Sequence, residues 1–158
     1  MKTAIIFRST HGTTETVSRT MAQKLSTDEV TLIDLKEYPK PNLQEFERII
    51  VGGSIHAGAI QKQVKNFCKA HLEDLQKKEL GLFICCMDRE LQEKEFEDSF
   101  PEELKTYAKA TGIMGGEFVF ERMNFLERFI VKKISKKDHS VSEIDHKAID
   151  SFVSRLQG

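Results

Sequence analysis

Residues 4–16 read AIIFRSTHGTTET: an apolar run, a turn crowded with hydroxyls, and a tail able to continue as helix. Ala4-Ile5-Ile6-Phe7 shows no polar alternation, as expected of a strand buried on both faces. Ser9, Thr10, Thr13, Thr14 and Thr16 then surround Gly12. Val17, Met21 and Leu25 fall on one helical face, with Thr13 or Thr14 placed to cap the helix and Glu15 in its first turn. A strand, a hydroxyl-rich turn and a helix in direct succession are the opening of an α/β chain.

The rest of the chain continues that alternation. Short apolar runs at Thr3–Phe7, Val30–Leu35, Arg48–Val51, Leu80–Cys86 and Gly116–Phe120 predict five strands. Helical spacing marks Val64, Phe67, Cys68, His71, Leu72 and Leu75. It marks Leu104, Tyr107, Ala108 and Thr111 after Pro101, and Ile144, Ala148, Ile149, Phe152, Val153 and Leu156 at the end. The expected architecture is a three-layer, doubly wound α/β fold with a five-stranded parallel sheet and right-handed crossovers. Its ligand should lie outside the carboxyl ends of the strands. No internal repeat or linker divides residues 1–158, so one domain is expected.

Composition narrows the function. At 39% hydrophobic and 31% charged, the chain is ordinary for a globular protein. A net charge of −1 argues against nucleic-acid binding, which needs a broad basic face. Cys68, Cys85 and Cys86 form no CxxC pair and point to a reducing compartment. The N-terminal apolar stretch is too short for a signal peptide and Arg8 breaks it, so a cytoplasmic location is expected. His139 and His146 have no partners at ligand spacing, and no metal is assigned.

Three stretches that follow strands carry the candidate chemistry. Ser9, Thr10, His11, Gly12, Thr13 and Thr14 run into a helix, whose first N–H groups suit an anion. The helix dipole adds about 0.3–2 kcal/mol there. Neither GxxxxGK[ST] nor GxGxxG is present, which leaves a monophosphate held by neutral donors, or an ordinary capped turn. Gly52 and Gly53 precede Ser54, Ile55, His56, Ala57 and Gly58, a loop small enough for its backbone to approach a flat ligand. Cys85, Cys86, Met87 and Asp88 follow the fourth strand. Acidic residues after strand one, which a response regulator needs, are missing at Phe7-Arg8-Ser9. A nucleophile elbow would require Gly at position 56, where His stands. No side chain is assigned as a general acid or base.

Ser9-Thr10-His11-Gly12-Thr13-Thr14-Glu15 resembles the phosphate loop of flavodoxins, Ser/Thr-x-Thr-Gly-x-Thr-Glu, with His11 standing where that pattern has Thr. The resemblance implies strand order 2-1-3-4-5 and an FMN cofactor. It places the FMN phosphate in this loop, one flavin face and the N5 edge at residues 54–58, and the other face at residues 85–88. A charged imidazole at His11 would strengthen phosphate binding at low pH. The aromatic pair that usually sandwiches the flavin is missing: there is no Trp, and Tyr38 and Tyr107 lie outside these loops. Ile55, His56, Ala57 and Met87 would cover the ring instead.

The phosphate loop, VGGSIHAG and FCKAH together resemble the menaquinone-dependent protoporphyrinogen oxidases, a flavodoxin-like family of heme biosynthesis. The resemblance extends to Gly115–Phe118 and Arg122–Ile134, which look like that family's insertion after the fifth strand. It implies a porphyrinogen substrate and a quinone acceptor. The residues have their own reading as well. Met123, Leu126, Phe129, Ile130 and Ile134 form an apolar stripe. Arg122, Arg128, Lys132, Lys133, Lys136 and Lys137 outnumber Glu121 and Glu127 between residues 121 and 137. Such a helix either rests on an anionic membrane surface, making the protein peripheral to the inner face of the membrane, or packs on the core with its lysines in water. Residues 88–103 hold eight acids and two bases, suited to a basic redox partner protein or to a solvated surface. The two functional expectations are therefore an FMN enzyme of the protoporphyrinogen oxidase type and a soluble flavodoxin-type electron carrier.

Overall fold

The computed structural model describes residues 1–118 and 141–158. β1 (Lys2–Phe7) leads into α1 (Thr13–Lys24), β2 (Glu29–Asp34) and β3 (Arg48–His56). A two-residue strand β4 (Ala59–Ile60) follows, then α2 (Lys62–Ala70), α3 (Leu72–Leu75) and β5 (Glu79–Cys85). After these come α4 (Gln92–Ser99), α5 (Glu102–Tyr107), β6 (Ala110–Ile113) and β7 (Gly115–Phe118). Beyond the undescribed residues, β8 (Val141–Ile144) and α6 (His146–Gln157) end the chain. The long strands lie in the order β2-β1-β3-β5-β6, every neighbouring pair parallel. Leaving aside the short β4, this is the expected 2-1-3-4-5 winding.

Period-two side-chain alternation divides the interior into two cores. Ala4, Ile6, Ile49, Val51, Leu80, Leu82 and Ile84 share one with Val64, Phe67, Leu75, Phe96 and Leu104 of α2–α5. Ile5, Phe7, Ile50, Phe83 and Cys85 share the other with Val17 and Met21 of α1 and Ile149, Phe152 and Leu156 of α6. Strands without polar alternation are therefore strands covered on both sides.

Four elements differ from the sequence reading. The fifth sheet strand is Ala110–Ile113, in register with Gly81–Ile84, whereas Gly115–Phe118 turns away to pair antiparallel with Val141–Ile144. Thr111 belongs to that strand and not to the preceding helix. The chain leaves the helix at Tyr107 because the Lys109 N–H already bonds the Leu80 carbonyl at 2.8 Å, opening the ladder with β5. Ile144 lies in β8, before the closing helix, whose N-cap Asp145 accepts from the Ala148 N–H. Finally, Gly52–His56 continue β3 and do not form a loop. The basic stretch 121–137 lies outside the described residues.

At the edge where the strands begin, Arg48 is almost fully buried. Its guanidinium reaches Asp28 at 2.5 Å, Glu79 at 2.9 Å and the Leu156 carbonyl at 3.0 Å. Thr3 donates to the same Asp28 carboxylate at 2.7 Å. Charges from β3 and β5 and the last turn of α6 are thereby closed into one network, at the end of the sheet opposite the candidate site.

Candidate functional site

The three predicted stretches come together at the carboxyl edge of β1, β3 and β5. Gly12, not a threonine, caps α1, with φ 95° and no side-chain cap bond. The capping role passes to Ser9, whose Oγ accepts from the N–H groups of Gly12 (3.0 Å) and Glu15 (3.4 Å). Thr13 and Thr14 are left for other contacts. Thr13 Oγ1 donates to the Glu117 carboxylate on β7 at 3.2 Å. The Thr14 hydroxyl is buried with no nitrogen or oxygen partner. The Cys85 thiol beside it is too weak a partner to satisfy it. Arg8 donates through Nη1 to the Ser9 carbonyl, and its Nε is buried and unpartnered.

β3 reaches this turn from the side. Its last residues pair with β4, Ile55 opposite Ile60 and His56 opposite Ala59. Ala57 (φ 50°) and Gly58 (φ 81°) make the connecting turn, both left-handed, as a two-residue hairpin of the primed type requires. Ser54 Oγ lies 2.9 Å from His56 Nε2, and the rings of His56 and His11 meet edge-on at 5.6 Å. Gln61, at the start of α2, joins the two stretches: it donates to Thr10 Oγ1 at 3.2 Å and to Ser54 Oγ at 2.7 Å. The sequence reading placed none of Gln61, Glu117 and Arg8 at this site.

Cys85 is the last residue of β5 and does not follow it, and from there to Asp88 the residues divide by depth. Cys85 belongs to the core under α1 and α6, and Cys86 to the other core. Burial pushes both thiols up to about 12, so they stay protonated and unreactive at neutral pH. Cys86 donates to the buried Glu95 carboxylate at 2.7 Å, and its N–H bonds the Gly115 carbonyl at the same distance. The Asp88 carboxylate accepts from the N–H groups of Glu90 and Leu91, fixing the turn into α4. Met87 is half-buried and lines a cavity of about 150 Å³ with Arg89, Gln92, Ile113 and Glu143. Among the described residues no group of three or more His, Cys, Asp or Glu is placed to hold a metal ion.

A hydroxyl-rich turn at the head of α1, at the point where the winding of the sheet reverses, decides the family when set beside the sequence comparison: the flavodoxin domain matches residues 4–145. The chain belongs to the flavodoxin domain family. It is a flavodoxin-like redox domain, and its cofactor is FMN. The residues of this flavodoxin domain suit the phosphate of that group. Two main-chain N–H groups already converge on the Ser9 oxygen, and the Thr14 hydroxyl is unsatisfied in the adjoining helical turn. Protoporphyrinogen IX dehydrogenase [quinone] of Leishmania major is 23% identical over 97% of this chain and 73% of its own length. Among solved structures, oxidised flavodoxin 1 of Bacillus cereus superposes with a TM-score of 0.53 at 16% identity, over 99% of this chain and 95% of that one. The rubredoxin oxygen:oxidoreductase of Desulfovibrio gigas also gives 0.53 at 15% identity, and this chain, 99% covered, spans only 37% of its length. These superpositions establish the fold.

Proposed function

We propose that this flavodoxin domain is an oxidoreductase that withdraws hydrogen from a porphyrinogen and delivers the electrons to a quinone. The observation carrying the reading is the similarity to a protein named protoporphyrinogen IX dehydrogenase [quinone], which runs over 97% of the chain and so takes in residues 121–137. Ser9, Thr10, His11, Gly12, Thr13 and Thr14 would hold the FMN phosphate, with neutral hydroxyls and N–H groups as donors. Ser54, Ile55, His56, Ala57 and Gly58 would border one side of the ring, and Met87 and Asp88 the other, above the buried Cys85 and Cys86. Bound there, FMN would supply the redox chemistry, hydride and electron transfer. The protein sets access and orientation. The Ser54 hydroxyl is committed to Gln61 and His56, and the thiols remain protonated, so none of these groups serves as a base.

The alternative, an electron carrier docking a basic protein, draws on the acidic residues 88–103. Much of that charge is compensated locally: Lys94 pairs with Asp98 at 2.7 Å, Lys105 pairs with Glu97 and Glu102, and Glu95 is buried. This favours the enzyme. Among the described residues no helix is long and apolar enough to cross a membrane. Contact with a quinone-bearing membrane is proposed to run through residues 121–137, from the cytoplasmic face.

The test is to reduce the FMN-loaded protein and offer a menaquinone analogue in one sample and a carrier protein in another. Rapid reoxidation by the quinone is expected; reoxidation by the carrier protein alone would favour the alternative. A protein that neither carries nor takes up FMN would end both readings. Deletion of residues 121–137 should abolish binding to anionic vesicles, and unchanged partitioning would remove membrane contact from the proposal.

A further inference from the structure

We propose that Gln61 is a positioning residue that couples the phosphate loop to the β3–β4 hairpin, so that occupation of the loop is felt at the hairpin bordering the ring. The inference rests on the FMN reading above. Three hydrogen bonds fix the Gln61 amide. Its Oε1 accepts from the Ser54 N–H at 3.0 Å, and its Nε2 donates to Ser54 Oγ at 2.7 Å and to Thr10 Oγ1 at 3.2 Å. Both amide protons and the carbonyl are thereby used, which sets the plane of the group as well as its place.

Three observations distinguish this from an ordinary helix-end residue. Gln61 occupies the N-cap position of α2, yet its side chain makes no cap bond. The amide serves the neighbouring strand, not its own helix. The pairing of β1 with β3 ends at Phe7 opposite Gly52, and beyond it the Gln61 amide bridges Thr10 and Ser54. Gly53 makes room for it: a Cβ there would fall 2.6 Å from Gln61 Oε1 and 2.9 Å from Ile60.

The contacts form a closed circuit. Thr10 leads through Gln61 to Ser54, Ser54 Oγ to His56 Nε2, and the His56 ring to His11, the chain neighbour of Thr10. A group drawing the Thr10 hydroxyl toward itself in the phosphate loop therefore pulls on the amide that sets both the N–H and the hydroxyl of Ser54. Riboflavin, which lacks the phosphate, would leave that linkage slack.

The test compares the full chain with Gln61→Ala and Gln61→Glu, the latter keeping an acceptor while losing both donors. Dissociation constants and midpoint potentials are measured for FMN and for riboflavin. In the parent protein the two bound flavins should differ in potential. Gln61→Ala should shrink that difference and reduce the preference for FMN by about tenfold, the effect of losing one or two net hydrogen bonds. Gln61→Glu should not restore either. In the flavin-free protein, Gln61→Ala should accelerate amide exchange at Ser54. An unchanged potential difference, an equal loss of affinity for both flavins, or unaltered exchange at Ser54 would each overturn the role. Failure of the parent protein to take up FMN would instead sink the cofactor reading, and the exchange measurement would still decide the linkage.

Discussion

Thr14 brings stability and binding into opposition on a single hydroxyl. Its Oγ1 is buried in the first turn of α1 without a nitrogen or oxygen partner. A buried group in that state costs about 1–3 kcal/mol, and an apolar isostere removes the cost. Thr14→Val should therefore leave the flavin-free protein as stable or more so, by about 1 kcal/mol in urea titration. The same substitution should weaken FMN binding, measured by flavin fluorescence quenching. Loss of stability together with unchanged affinity would make Thr14 a packing residue only. Ser9 illustrates the reverse arrangement: its oxygen is already engaged by the Gly12 and Glu15 N–H groups, so a phosphate held as proposed would have to displace it or share those donors.

At the scale of elements, the β3–β4 hairpin contains a local conflict between residue and conformation. Ala57 adopts φ 50°, a region in which a Cβ is disfavoured by about 1–2 kcal/mol, whereas Asn is accepted there. Ala57→Asn creates the Asn-Gly pair preferred in such turns and should raise stability by about 0.5–1 kcal/mol, seen as a higher Tm. The buried strands β1 and β5, and β3 as far as Val51, were legible in the sequence because each core-spanning residue is apolar whichever way it points, whereas Gly52–His56 carry no such signal. β6 was not. Ala110-Thr111-Gly112-Ile113 is a weak strand former beside a helical pattern, and only its pairing with Gly81–Ile84 makes it part of the sheet. The hydroxyl-rich turn proposed to hold the phosphate was legible as a turn because its residues are contiguous. Gln61 was not, since nothing in a single sequence tells that its amide will cross to Thr10 and Ser54.

For the molecule as a whole, the network at the opposite edge of the sheet sets the response to mutation and to acid. Arg48→Ala would leave the Asp28 carboxylate buried without its cation, a loss of about 3–5 kcal/mol on the scale of broken buried pairs. Chemical denaturation should show the midpoint falling with little change in m. The Glu79 carboxyl is held below its ordinary 4.5, chiefly by the hydrogen bond from Lys109, with the Arg48 charge adding to it and partial burial opposing. A carboxylate depressed in the folded state contributes stability that is present above about pH 4.5 and is lost as pH falls through the folded-state value. Stability measured from pH 6 down to about pH 3 should therefore decline, and Glu79→Gln should flatten that decline while lowering stability at neutral pH. An unchanged slope in the variant would assign the acid sensitivity to other carboxylates.

Cys85 and Cys86 are neighbours in the chain, but they lie in opposite cores and neither is in a disulfide. One tryptic peptide therefore carries a built-in chemical clock for each layer of the domain. Pulsed alkylation with mass spectrometry would score the exposure of Cys85 as release of the α1–α6 layer, and of Cys86 as release of the α2–α5 layer. Both thiols should become labelled together if the domain unfolds in one step. A lag between them would show that the helices on one side detach while the sheet remains covered on the other.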